Sequence, residues 1–392
     1  GYWGKDFLNV DPHLGTNEDL LALSACAKKL GLKLILDVVT NHTGDVVQYA
    51  GKTAFIPENM KTAKNPDWLN KLENYHNVGS FNSCWGEGRC EQLGDFYSLD
   101  DLATEKEEVY KGWIDVYGAW IKKYGFEGFR VDTARHVDDN FFKNWTPGIN
   151  SAAQSVGIKN FTVYGEVWDI NPMNLVSYVR EKKIQTVLDF AFQRTATQFA
   201  SGYSDASVLG TLFDVDDQYT TPTSTASNLV TFLGNHDMGR VGFLIPASQA
   251  SAKNDLLART KLAHALMYFS RGIPTVYYGD EVGMTGSGNG GDVVVNVNAN
   301  INTSGNGSDG VDAMSIGGGG GSGTASEHGG GGGAGGVLSG TTSSMLAGVY
   351  SVTVGTGGAG GNGTTAATGL GGNGGNSVLD TVTAYGGGGG AD

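Results

Sequence analysis

Asp132 stands two residues after Arg130 in the stretch Tyr124-Gly-Phe-Glu-Gly-Phe-Arg-Val-Asp-Thr-Ala-Arg-His136. On a strand, residues two apart leave the same face, so a guanidinium and a carboxylate project together. Ionised groups are rarely set beside a core without a reason, and the plain reading is an ion pair pinning a strand end. Three further stretches repeat the pattern: Asp37-Val-Val-Thr-Asn41-His42, Gly165-Glu166-Val-Trp168-Asp169 and Gly234-Asn235-His236-Asp237. Singly, a Glu after a strand caps a helix or is solvated, Asn-His punctuates a loop, and His-Asp is a surface pair. Four strand ends that each bring an acid or a histidine to one rim call for more than coincidence.

Three converging carboxylates suit the cleavage of a glycosidic bond. A retaining mechanism needs one carboxylate as nucleophile and a carboxylic acid about 5–5.5 Å away to protonate the leaving oxygen. The nucleophile must stay ionised, which a neighbouring cation favours, and Arg130 beside Asp132 supplies one. The acid must keep its proton, which burial or nearby negative charge promotes. Glu166, flanked by Val167 and Trp168 and expected to face two aspartates, is the candidate. Neutral histidines can hold sugar hydroxyls as positive charge develops on the ring.

The elements that must position these groups alternate along the chain. Thr16-Asn-Glu-Asp19 is close to a capping box and opens a helix to Leu30, with Gly31 beyond it. Leu32 to Val39 is a mostly apolar run, expected as a strand covered on both faces. Thr43 to Asp101 is too long for an ordinary connection and reads as a lid or small subdomain. Glu105 to Tyr124 is strongly helical. Strands are expected at 126–132, 161–167, 185–190, 229–234 and 273–278. Helices are expected near 138–146, 172–183, 204–212 and 252–270. Crossover helices between strands imply an α/β fold with a parallel sheet, and in a (β/α) barrel the chemistry sits just past the C-terminal strand ends.

The net charge of −14 argues against a nucleic-acid partner, which calls for a basic face, and suits a neutral polymer such as a polysaccharide. No run approaches the apolar length needed to span a bilayer. Three cysteines make no disulfide framework. Cys84 and Cys90 can close a small loop if the protein is exported, their spacing is a poor zinc signal, and Cys26 reads as a buried helix residue. The chain opens at Gly1-Tyr2-Trp3 inside what reads as a loop, so a fragment is expected.

In order along the chain, D-V-V-x-N-H, G-F-R-V-D-x-x-x-H, G-E-V and F-x-x-N-H-D resemble the signature regions of the α-amylase family of glycoside hydrolases, over residues 1–284. The run Gly272-Ile-Pro-Thr-Val-Tyr-Tyr-Gly-Asp-Glu281 is similar to that family's eighth strand. The resemblance implies an incomplete TIM (β/α)8-type barrel comprising strands three to eight, within a catalytic region 1–285 that holds the excursion 43–101. It implies Asp132 as nucleophile, Glu166 as general acid/base and Asp237 as the third carboxylate, orienting sugar hydroxyls. It implies His42, His136 and His236 as sugar-binding histidines, Tyr2 as a ring stacking on the sugar at the cleaved bond, and Arg130 as the nucleophile's partner. Arg135 falls at a substrate-binding position where many members carry lysine. A structural calcium is implied, with Asn41, Asp101 and the carbonyl of His136 as ligands. Asp100 adjoins Asp101, which leaves the register open, and the pair is equally readable as a helix N-cap before Glu105. The implied substrate is a starch-like α-glucan and the implied location extracellular or periplasmic. A related transglycosylase, and a non-catalytic surface or fibre protein carrying a broken barrel, are the alternatives.

Beyond Gly286 the composition changes. Every lysine and arginine lies at or before Arg271, and glycine makes up about a third of the last stretch without a G-X-Y period. The region 286–392 is read as a flexible glycine-rich tail, its blocks resembling segments of phage tail fibres and bacterial surface proteins. Val295–Asn302 alternates as a strand would, and Leu346–Val354 is an apolar island.

Overall fold

The computed structural model describes residues 2–286 and three short strands at 352–353, 377–379 and 382–384. The described residues divide between two compact units: those within 1–192, 211–231 and 271–273 form the first, and those within 193–210, 232–270 and 274–392 the second.

In the first unit, β1 (Ile35–Val39), β6 (Gly128–Asp132), β7 (Thr162–Gly165) and β8 (Thr186–Val187) form one four-stranded sheet in the order β1-β6-β7-β8. Each neighbouring pair is parallel. A parallel bridge from Leu188 to Val230 leads towards β9 (Val230–Phe232), and Ile273 N, at the start of β10 (Ile273–Thr275), donates to the Leu229 carbonyl at 2.8 Å. All six expected strands are present, shorter than the apolar runs that announced them. Strand β1 departs from expectation. Leu32 and Ile35 are 60% and 42% exposed, so this run is not covered on both faces, and β1 lies at the edge of the sheet.

Helix α1 (Asn17–Lys29) has the full capping box between Thr16 and Asp19. Its Ala27 is buried and Ser24 bonds the Tyr124 carbonyl, so Cys26 lies on another face and is exposed, contrary to its reading as a core residue. Helix α3 (Glu107–Tyr124) carries the main aromatic face of the core. Trp113 is fully buried and its Nε1 donates to the Thr40 carbonyl at 2.8 Å, while the Tyr117 hydroxyl donates to the Val39 carbonyl. These bonds satisfy the carbonyls where β1 runs out and fix the rim from below. Helix α4 (Phe141–Ser155) crosses α3 closely, since a Cβ at Gly118 would come within 3.3 Å of the Ala152 methyl.

The excursion is a folded subdomain. Strand β2 (His42–Gly44) pairs antiparallel with β5 (Leu99–Asp101), and β3 (Gln48–Ala50) with β4 (Thr53–Phe55). A disulfide joins Cys84 to Cys90, where α2 (Cys90–Leu93) starts. The neighbouring Asp100 and Asp101 part company here. Asp100 receives the fully buried Lys64 ammonium at 2.7 Å and the backbone N–H of Val46 and Val47. Asp101 turns instead to Asn41 and His76. Neither caps a helix, because α3 begins later and its N-cap is Lys106.

Helix α5 (Pro172–Arg180) follows β7, and α6 (Phe190–Ser201) follows β8 directly. Arg271 donates to Asp189 and to both oxygens of Asp216, tying the start of β10 to the end of β8. Next come α7 (Ser207–Phe213) and, in the second unit, α8 (Val241–Ser248) and α9 (Leu256–Phe269). There Arg259 bonds the Ala200 carbonyl at 2.9 Å, and the Arg240 guanidinium lies over the rings of Tyr277 and Tyr278. The strands β11 (Val352–Thr353), β12 (Ser377–Leu379) and β13 (Val382–Ala384) make an antiparallel sheet, so the glycine-rich stretch holds some ordered pairing. The Val295–Asn302 strand lies outside the described residues, as does most of the apolar island. Among the described residues no helix is long and apolar enough to cross a membrane.

Burial lowers the Lys64 pKa against the pull of Asp100, and burial also pushes Asp100 up to about 6. Removing one member of such a pair strands the other. Lys64→Ala is therefore expected to cost about 3–5 kcal/mol in urea unfolding. Lys64→Met combined with Asp100→Asn should cost clearly less than Lys64→Ala alone.

Candidate active site

Strand register assembles the first cluster. Asp37 lies opposite Arg130, Val39 opposite Asp132, and Val131 opposite Gly165, which puts Glu166 one step past the end of β7. The Glu166 N–H continues the ladder to the Val131 carbonyl at 2.8 Å. Gly165 must lack a side chain, since a Cβ there would come within 2.4 Å of Ile184 and 2.7 Å of Ala134. Thr133 turns the chain just after Asp132 with φ of 46° and aims its N–H at Glu166 Oε2, 3.2 Å away. A non-glycine residue in that region is uncommon and is held here by what it positions.

Arg130 is the hub. Its Nη1 donates to Asp132 Oδ1 at 2.7 Å and to Asp37 Oδ1 at 2.9 Å, and its Nη2 meets Glu166 Oε1 at 2.9 Å. Arg130, Asp132 and Glu166 are all buried, whereas the Asp37 side chain is 42% exposed. Burial works against the guanidinium charge, but Asp37, Glu166 and Asp132 together outweigh it and leave the pKa raised. Burial pushes the Asp132 carboxyl up, with Arg130 opposing and Asp37 adding to the rise. Arg130 therefore serves both candidate catalytic carboxylates and does not belong to Asp132 alone.

Tyr2 joins the same cluster. Its hydroxyl donates to Asp37 Oδ2 at 2.8 Å, and burial, then Asp37, raise its pKa so that it stays neutral. Asp37 received no role from the sequence. The available signal was an acid inside an apolar strand, two residues before the chain reaches the rim.

His42 is almost completely buried, and burial lowers its pKa to about 3, with His136 adding to the fall. A neutral ring is thus fixed at the start of β2, three residues past β1. His136 is neutral too, lowered by burial against the pull of the Glu91 carbonyl, which accepts from its Nδ1 at 2.8 Å. Arg135 binds Glu91 through Nε at 3.1 Å and Nη2 at 2.8 Å, and its Nη1 donates to the Trp168 carbonyl at 2.8 Å. Glu91 was absent from the sequence reading.

At the foot of the excursion, Asn41 Nδ2 donates to Asp101 Oδ1 at 3.0 Å, and His76 Nδ1 meets Asp101 Oδ2 at 2.5 Å. Asn41 Oδ1 is buried without a hydrogen-bond partner. An orphaned amide oxygen beside a buried carboxylate fits a hard cation such as calcium, which takes oxygen ligands including amide and main-chain carbonyls. Among the described residues no three His, Cys, Asp or Glu side chains gather as a metal cluster, so any such site depends on those neutral oxygens.

In the second unit, the turn after β9 carries the remaining candidates. Asn235 Oδ1 accepts from the N–H of Asp237 at 3.0 Å and of Met238 at 2.8 Å. Asp237 Oδ2 lies 3.3 Å from His236 Nε2, and both side chains are 42% exposed. The asparagine of Asn-His-Asp is the turn's internal brace, which leaves the next two side chains to face outward.

A parallel sheet in an α/β fold, with two buried carboxylates brought around one arginine at its strand ends, is a scaffold suited to catalysis. The family model for the alpha-amylase catalytic domain matches residues 1–314, and that for a glycine-rich domain matches residues 309–392. The chain belongs to the alpha-amylase family. An alpha-amylase of Streptomyces lividans is 38% identical over 335 residues, covering 74% of this chain and 36% of that protein. A cyclomaltodextrin glucanotransferase of Klebsiella oxytoca is 27% identical over 310 residues, covering 72% of this chain and 46% of its own length. The crystal structure of an alpha-amylase from Geobacillus thermoleovorans complexed with acarbose superposes with a TM-score of 0.59 at 30% identity, covering 73% of this chain and 58% of that one. The chain thus spans between about a third and a half of the length of these curated relatives.

Arg130→Met should cost about 3–5 kcal/mol at neutral pH, because buried carboxylates lose their cation. The sign of its pH dependence follows from Asp132. An acid whose folded pKa lies above its unfolded value destabilises the fold once ionised, and acidification relieves that cost. In the variant this pKa should rise further. Its deficit against the parent, read by urea unfolding, is expected to shrink as pH falls from 8 to 5.

Proposed function

We propose that the chain acts as a retaining glycosidase on α-1,4 links of starch-like glucans. The observation that carries this is Arg130 bound at once to Asp132 and Glu166 at adjacent strand ends. In this reading Asp132 attacks the anomeric carbon while Glu166 gives its proton to the departing glycosidic oxygen. The sugar is then bonded to Asp132. Glu166, now ionised, takes a proton from water, whose oxygen attacks the same carbon and frees Asp132. Arg130 disperses negative charge in both steps, so the site tolerates one ionised carboxylate at a time as the proton leaves and returns.

The other roles follow the same reading. Asp237 is the third carboxylate, which orients sugar hydroxyls, with His236 beside it. His42 and His136 offer neutral rings to hydroxyls, Tyr2 offers its ring to the sugar at the cleaved bond, and Arg135 faces the leaving side. Asn41 Oδ1, Asp101 and the His136 carbonyl would hold a structural calcium, cross-linking the rim to the excursion. The Cys84–Cys90 disulfide supports an oxidising, extracellular or periplasmic setting. The glucanotransferase relatives support transfer to a sugar acceptor as a variant of this chemistry. The glycine-rich match favours a second reading, a surface or fibre-type protein whose amylase region only binds glucan.

Reducing-sugar release from soluble starch separates these readings. Asp132→Asn, Glu166→Gln and Asp237→Asn should each lower kcat by at least about 10³-fold, the scale of losing a residue that acts only in the transition state. Starch binding without release, unaltered by Asp132→Asn, would establish the binding-only reading instead. For calcium, exhaustive chelation should lower the melting temperature of the catalytic region by several degrees, and added calcium should restore it. Asn41→Ala should abolish that response, and an unchanged melting temperature on chelation would remove the metal from the scheme.

A further inference from the structure

Helix α2 begins at the Cys84–Cys90 disulfide, and its residues fasten onto the segment that follows β6. The Glu91 carboxylate takes Arg135 in a two-pronged grip, 2.8 Å to Nη2 and 3.1 Å to Nε. The Glu91 carbonyl accepts from His136 Nδ1 at 2.8 Å. Gln92 Nε2 donates to Asp139 Oδ1 at 2.7 Å and to the Val137 carbonyl at 3.3 Å. Arg135 then reaches onward, its Nη1 donating to the carbonyl of Trp168 at 2.8 Å. Trp168 stands two residues past Glu166, its ring stacked on Phe190 with centroids 5.2 Å apart. A guanidinium has five N–H groups. Three of them are engaged by these contacts, which fixes where the remaining two point.

The Glu91 side chain is 56% exposed and that of Arg135 is 32% exposed. An exposed pair of this kind contributes little to stability, so its geometry matters more than its strength. A two-pronged arginine–carboxylate contact fixes orientation in a way that a lysine ammonium cannot.

We propose that Glu91 is a positioning residue: it holds Arg135, and through it the main chain of Trp168, and so sets the grip on the sugar attached through the leaving oxygen. This rests on the reading that Glu166 protonates that oxygen, which places the segment after β7 on the leaving side. The disulfide-closed turn of the excursion thereby takes part in specificity through a residue that does not itself touch the reacting atoms.

The test uses the full chain and two substrates. Maltoheptaose places sugars on both sides of the cleaved bond, whereas 4-nitrophenyl α-maltotrioside has no sugar on the leaving side. Glu91→Gln is expected to raise the ratio of KM for maltoheptaose to KM for the aryl substrate about 3–10-fold, with a melting temperature within about 2 °C of the parent. Arg135→Gln should shift the ratio alike, and the double variant should shift it no further, as for residues acting as one unit. Glu91→Asp, which keeps the charge, should recover part of the change. In an Asp132→Asn background, calorimetry should show maltoheptaose bound correspondingly more weakly when Glu91→Gln is added. A ratio that stays within twofold of the parent overturns the proposal, and so do shifts that add fully in the double variant. Loss of the glycosidase reading itself would show separately, as undiminished turnover in Asp132→Asn.

Discussion

One buried guanidinium holds the rim together. Arg130 is the cation within hydrogen-bonding distance of Asp37, Asp132 and Glu166, contributed by three adjacent strands. Without it, neighbouring carboxylates in a poorly hydrated site would repel one another and each would prefer its neutral form. With it, the set can carry negative charge, as the proposed proton transfer requires. The register of β1 against β6 makes this possible, because Asp37 is brought level with Arg130. A slip of one residue would send every one of these side chains to the other face.

The rim depends in turn on how its backbone is pinned. Trp113 and Tyr117 on α3 bond the carbonyls of Thr40 and Val39, so a helix dictated by apolar periodicity also anchors the strand end that presents Asn41 and His42. Beyond that end, two consecutive aspartates divide the labour. Asp100 satisfies Lys64 inside the excursion, and Asp101 faces back to Asn41. Alternation along β5 explains the split, since neighbouring residues on a strand point to opposite faces.

Much of this was legible in the residues. The strand ends were, because glycine, an apolar run and then an acid make a sharp local signal, as at Gly165-Glu166. The capping box before α1 was legible for the same reason. Helix α6 was missed because it starts at Phe190, directly after β8. No glycine or proline marks the change, although Asp189 caps the helix by accepting from the Phe192 N–H at 2.8 Å. Helix α8 was missed because Gly242 and Pro246 within it weaken the helical signal. The exposure of Leu32 and Ile35 could not be read from an apolar run, since such a run describes the residues and not what covers them. The sharing of Arg130 was equally invisible: spacing along one strand reveals Asp132, but Asp37 and Glu166 arrive only through register between strands.

Other partners that the sequence did not reveal have at least one member in the excursion. Glu91 meets Arg135 across 44 positions, and Lys64 meets Asp100 across 36. An excursion has no repeating period to betray which of its side chains turn back towards the rim, so pattern supplies the scaffold and leaves the embellishments unread. That division has a physical basis. The proposed catalytic carboxylates sit at strand ends, where backbone register and the shared Arg130 fix them. Groups that choose among substrates can sit on an appended subdomain, provided that charge pairs and a disulfide hold it against the rim. An arginine braced between Glu91 and the main chain after Glu166 is such a coupling, because it converts the position of a surface turn into the position of a segment two residues from a proposed acid.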